Sequence, residues 1–135
     1  MLVCRILEQS PEVIQEVSTL VIQAQSDLCE VRKMIHKIGF FIEKEKFCMD
    51  AGKPYLVMRA VRGEEKTPYE PAEYEYGRLL PEAGDAAYRS YLLDERDKKM
   101  KLQETLKMQK TSGAGARVEE LTEEITGLDW ILNKF

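Results

Sequence analysis

The apolar and polar positions divide the chain into segments of different period. Residues 1–7 (MLVCRIL) are an apolar run with one Arg, and they predict a short strand ended by Glu8 and Gln9. Ser10-Pro11-Glu12 then reads as a helix start: a hydroxyl at the N-cap, a proline where its missing N–H costs nothing, and an acid facing the positive dipole end. From there Ile14, Val17, Val21, Ala24, Leu28, Val31, Ile35 and Ile38 fill heptad positions a and d, interrupted by Asp27 at g. The spacing predicts one long helix over residues 10–38. Lys33, His36 and Lys37 fall in its last turn, and Gly39 is its stop. The heptad also runs on to Ile42, so a helix reaching about residue 47 is the alternative.

After Gly39 the pattern favours two strands, near 40–48 and 54–62, joined through Asp50-Ala51-Gly52-Lys53 as a hairpin. Glu43 to Lys46 put charge on both faces of the first strand, as an edge strand does, and the second is the better core strand. Residues 63–82 read as an acidic loop: Pro68, Pro71 and Pro81 forbid one long helix, and Tyr69, Tyr74 and Tyr76 are spaced among glutamates. Helices follow over 83–111 and 117–133, separated by a small-residue linker around Gly113-Ala114-Gly115. The last helix keeps a heptad of Val118, Leu121, Ile125, Leu128 and Leu132. The fold class is therefore α+β. A small, mostly antiparallel sheet (strands near 1–7, 40–48 and 54–62) packs on the long helix, and a helical extension follows. The expected division is a body over 1–82 and an extension over 83–135.

Composition changes this picture little. At 135 residues, 44% apolar and 33% charged, the chain can bury a core and carries more charge than average. A net charge of −4 argues against a wholesale nucleic-acid coat. No apolar run approaches the ~18 residues of a membrane span, and the first residues lack the pattern of a signal peptide. Three irregularly spaced cysteines suit a reducing compartment, so a cytoplasmic protein is expected.

Candidate chemistry is sparse. Cys29 and the single histidine, His36, are seven helical residues apart in this reading, about 10.5 Å, too far for a thiol–imidazole pair. Cys4, Cys29, His36 and Cys48 include no close C-x-x-C-type pair, so no metal is expected. Gly113-Ala114-Gly115 matches no phosphate-binding pattern, so no cofactor is expected. No catalytic residue is nominated.

The patterning points to a non-enzymatic protein-binding or regulatory module: an adaptor or inhibitor of a larger complex, of the kind phage or mobile-element genes encode. Tyr69, Glu70, Glu73, Tyr74, Glu75 and Tyr76 form its expected partner surface, since tyrosine gives large contact area at low entropic cost. Ile14, Val17, Val21, Leu28, Val31 and Ile35 form an expected coiled-coil seam for a homodimer. An antiparallel pair of these helices would set an acidic half (Glu12, Glu16, Asp27, Glu30) against a basic one (Arg32, Lys33, Lys37). Two alternatives remain. One is a nucleic-acid binder using the Lys-rich helix 94–110; the other is an enzyme whose site is completed by oligomerisation.

Overall fold

The computed structural model describes residues 2–109 and 113–135. Its elements are α1 (Leu2–Gln9), α2 (Pro11–Glu16), β1 (Thr19–Ala24), α3 (Leu28–Lys37), β2 (Phe40–Asp50), β3 (Lys53–Arg62), α4 (Pro71–Tyr76), α5 (Leu79–Ala83), α6 (Ala86–Met108) and α7 (Ala114–Leu132). They form two compact units, Met1–Leu80 and Pro81–Phe135.

The α+β class with a small antiparallel sheet holds. The sheet has the order β1-β3-β2, with both neighbours antiparallel to the central β3. β1 and β2 therefore run parallel to each other, and α3 is the crossover between them. The helix that precedes Gly39 does end before it, with Gly39 at φ +87°, and residues 40–50 are strand. Ala51 and Gly52 turn the β2–β3 hairpin with φ of 50° and 78°, the pair of left-handed residues a two-residue turn needs. A bulge between Ile42 and Lys44 interrupts β2.

Two expected elements are replaced. Residues 1–7 are not a strand: Cys4 and Leu7, three apart, are buried while Arg5 and Glu8 face out, which is a helical period. Helix 10–38 is not continuous either. Val17-Ser18-Thr19-Leu20-Val21-Ile22 is rich in β-branched residues, which stiffen against a helix and fit a pleated surface. There the burial period becomes two, with Ile22 and Ala24 inward and Val21 and Gln23 outward. The Arg62 guanidinium closes α2 by donating to the carbonyls of Ile14 and Val17. Asp27 is not a flaw in a stripe but the N-cap of α3.

Ile22, Met58, Ala60 and Ile42 line one face of the sheet, and α1 and α3 cover that face with Cys4, Leu7, Val31, Met34 and Ile35. The expected loop 63–82 contains two short helices, α4 and α5. The expected helices 83–111 and 117–133 are α6 and α7, and the linker lies partly outside the described residues.

In the second unit α6 and α7 pack on each other. Leu92, Leu121, Leu128 and Ile131 fill the seam, each at most 1% exposed. Asp85 caps α6 by accepting from the Tyr88 amide at 2.8 Å. Arg96 pairs with Asp129, Lys99 with Glu124 at 3.0 Å, and Gln103 donates to Thr122 Oγ1 at 2.7 Å.

Candidate functional site

In open α/β sheets, ligands lie beyond the carboxyl ends of the parallel strands. That end of β1 delivers Gln25, Ser26 and Asp27 to the first turn of α3. They line a cleft of about 170 Å³ with Val3, Cys4, Gln23, Ala24 and Val31. Asp27 is held at φ 55°, ψ 33°, a conformation Asp tolerates better than most residues. Its carbonyl accepts the first helical bond, from the Val31 amide at 3.0 Å. Its side chain makes no cap bond.

The thiols beside this cleft are poor nucleophiles. Burial raises the Cys4 pKa, and burial followed by the Glu75 carboxylate raises that of Cys29. The arrangement offers amide, hydroxyl and carboxylate groups that can orient a polar substrate. It offers no paired acid and base to move a proton.

A second cluster holds α4 and its flanking loop against α3. Arg32, fully buried, donates through Nε to Glu45 Oε1 at 2.9 Å and through Nη1 to the Tyr74 and Glu75 carbonyls at 2.9 and 3.0 Å. One cation thus neutralises a buried carboxylate on β2 and caps the C-terminal end of α4. Gly77 makes this fit: a Cβ there would stand 2.7 Å from Glu45 Oε2. Next to it, His36 Nδ1 and the Tyr74 hydroxyl share a 2.8 Å hydrogen bond, and the Tyr69 ring lies 4.7 Å from the imidazole, edge to face. Arg78 lies over the Tyr69 ring at 4.2 Å and donates to Glu73 and to the carbonyls of Thr67 and Pro68. His36, Tyr74, Pro68, Glu64 and Glu65 line a cleft of about 530 Å³, but it sits by Gly39 and Gly63, at the amino end of β2. That is the wrong end of the sheet for the usual ligand position.

The residues expected to bind a protein partner are thus engaged within the chain. Tyr69 is 8% exposed, Tyr74 is bonded to His36, and Glu70 and Glu73 form the capping box of α4. Glu75 is exposed and Tyr76 is half-buried. The expected dimer seam loses its basis with the long helix. Ile14 belongs to α2, Val21 to β1, and Val31 and Ile35 to α3; Val31 and Ile35 lie in the core. Val17 and Leu28 pack partly against that core. The cations of 94–110 are partly committed too: Arg96 and Lys99 pair with α7, and Lys98 with Glu95. Sequence reasoning missed Gln25, Ser26 and Asp27. Ser-Asp just before an apolar helical pattern was the available signal.

Among the described residues, no three His, Cys, Asp or Glu side chains gather as a metal set. No helix there is long and apolar enough to cross a membrane.

The first unit, an α+β fold, thus carries a β1–α3–β2 crossover with an antiparallel strand inserted and polar residues at the carboxyl end of β1, the place where strand-end sites are built. Over residues 1–129 the chain matches the family model TrmK, tRNA (adenine(22)-N(1))-methyltransferase, and it belongs to that family. Among solved structures it resembles an uncharacterised Listeria monocytogenes protein, with a TM-score of 0.88 and 19% identity, covering 95% of this chain and 56% of that one. It also resembles the Bacillus subtilis M1A22 tRNA methyltransferase TrmK (TM-score 0.83, 18% identity, 97% and 58% covered). A third is the M. capricolum TrmK bound to S-adenosyl-homocysteine (0.71, 16%, 95% and 56%). The chain thus spans little more than half the length of these structures. No curated protein sequence matches it.

Membership in a family of tRNA-modifying enzymes overturns the expectation of a non-enzymatic adaptor, inhibitor or phage regulator that docks a protein. The nucleic-acid and enzyme alternatives were the closer ones. The sequence offered no catalytic motif, and that absence carried no information about activity.

Proposed function

We propose that this chain serves N1-methylation of an adenine in tRNA, as the part of the enzyme that places the nucleotide. The family match over residues 1–129 carries the reading. The chemistry of the site agrees with it. Adenine N1 already bears a lone pair at neutral pH, so modifying it requires placement more than proton removal. Gln25, Ser26 and Asp27 supply orienting groups without an acid–base pair. A tRNA substrate supports a cytoplasmic location for the protein.

S-adenosyl-homocysteine, found on the M. capricolum relative, is what S-adenosyl-methionine becomes after losing its methyl group. The residues of this chain do not fit that cofactor. The β1–α3 turn is Gln-Ser-Asp, with no glycine to let the backbone close on a ligand. No step is therefore assigned through the cofactor to these residues.

Deleting the gene in its native cell and mapping tRNA by mass spectrometry tests the proposal. N1-methyladenosine at position 22 should disappear and return with a plasmid copy. An unchanged modification would overturn the reading.

A further inference from the structure

β1 and β2 run parallel, so the turn of the β2–β3 hairpin lies at the same end of the sheet as Gln25, Ser26 and Asp27. The hairpin reaches further than β1. β1 ends at Ala24, opposite Leu56, while the ladder runs on through Cys48–Tyr55, Met49–Pro54 and Asp50–Lys53. This overhang carries the tip about 10 Å past the end of β1.

Alternation fixes what the overhang presents. Phe47 and Leu56 pair on the covered side of the sheet and are 7% and 4% exposed. Met49 and Pro54, two residues nearer the tip on each strand, share that side. Beyond β1 it is open: Met49 is 54% exposed and Pro54 half-buried. Lys53 is exposed at the tip, across the ladder from Asp50. Glu43 pairs with Arg59 at 3.4 Å, so Lys44, Lys46 and Lys53 outnumber Asp50 and leave the arm net basic. Ala51 and Gly52 turn the chain in two residues, so the arm is shaped before anything binds.

An exposed apolar pair beside a polar cleft has a use in the reaction. N1 lies on the Watson–Crick edge of adenine, so a paired and stacked adenine must leave its helix to present it. The adjoining base then loses a stacking partner. A thioether side chain is apolar, polarisable and unbranched, and it can lie on the bared ring. A lysine beside it meets the backbone phosphate.

We propose that Met49 and Pro54 form a shelf for the base adjoining the target adenine, with Lys53 on its phosphate. The inference rests on the methyltransferase reading and assigns that reading a second surface. Gln25, Ser26 and Asp27 meet the target nucleotide, and the hairpin tip meets its neighbour.

The test titrates the 135-residue chain into an unmodified tRNA that carries 2-aminopurine beside the target adenine. Met49→Ala should weaken binding about tenfold, and Met49→Leu should keep most of the affinity. The 2-aminopurine should be brighter in the Met49→Ala complex than in the wild-type one, because its ring has lost a cover. Lys53→Gln should lower the slope of log affinity against log salt by about 1. Val13→Ala, which trims a side chain 58% exposed on α2, should change none of these. Urea midpoints equal to wild type show that the variants fold. No tRNA binding by the chain overturns the proposal, and so does binding that Met49→Ala and Lys53→Gln leave unchanged. An equal loss in Val13→Ala overturns it too. Methylation lost on gene deletion, with the Met49 and Lys53 variants binding normally, would sink the shelf but not the function. Weakened variants with methylation intact in the deletion strain would do the reverse.

Discussion

Arg32 shows how much of this fold hangs on one side chain. It is buried with Glu45 and also caps α4 through two carbonyls, so removing it strands a carboxylate inside the protein. Arg32→Met should cost about 3–5 kcal/mol, read from the urea midpoint, and Arg32→Met with Glu45→Leu should recover most of that loss. His36 acts through protonation instead. Burial lowers its pKa below 6.5, Arg78 pushes the same way, and Glu65 opposes. The folded chain then holds fewer protons than the unfolded chain just below pH 6.5. Stability should accordingly fall as the pH drops through 6.5, and level off below the folded-state value. Melting temperatures at pH 7 and pH 5 measure this, and His36→Asn should make the decline shallower. The histidine was legible in the sequence as a residue near a helix end. Its bond to Tyr74 was not, because that contact spans 38 residues.

At the level of elements, the hairpin and the misread helix illustrate which signals survive translation into structure. Gly52 and the two β-capable runs around it sufficed to place β2 and β3. The turn itself is imperfect, since Ala51 occupies a left-handed conformation at φ 50°. Ala51→Asn creates the Asn-Gly pair this turn type favours, and should stabilise the protein by about 0.5–1 kcal/mol in thermal unfolding. A loss of stability would show that the turn tolerates Ala51 without strain. Helix 10–38 failed for a different reason. Ile14, Val17, Val21 and Ala24 satisfy helical spacing, yet Leu20, Ile22 and Ala24 satisfy strand spacing equally well. Only β3, more than thirty residues downstream, decides between them. The candidate site was illegible for the same cause: Gln25 to Asp27 matter because a strand ends there.

For the whole molecule, each unit carries its own core and its own charge network, and the second unit's α6–α7 ion pairs are local to that hairpin. The heptad of the last helix was legible because a heptad needs only a neighbour close in sequence. The first unit's topology was not, because β3 inserts between two strands that precede it. That insertion also sets an order of events in folding. β2 and β3 close across two residues, whereas β1 must find Val61 and Leu56 after a far larger loop has been ordered. The β2–β3 hairpin with α3 should thus form the nucleus, and β1 should join after the barrier. Ile22→Val would then speed unfolding and leave the refolding rate unchanged in a chevron analysis, while Val57→Ala in β3 would slow refolding. Equal effects on the two limbs would place β1 in the nucleus. A strand that arrives last leaves first, so each partial opening bares the edge of β3 that β1 covers, and the chain's tendency to aggregate should follow the lifetime of that opening.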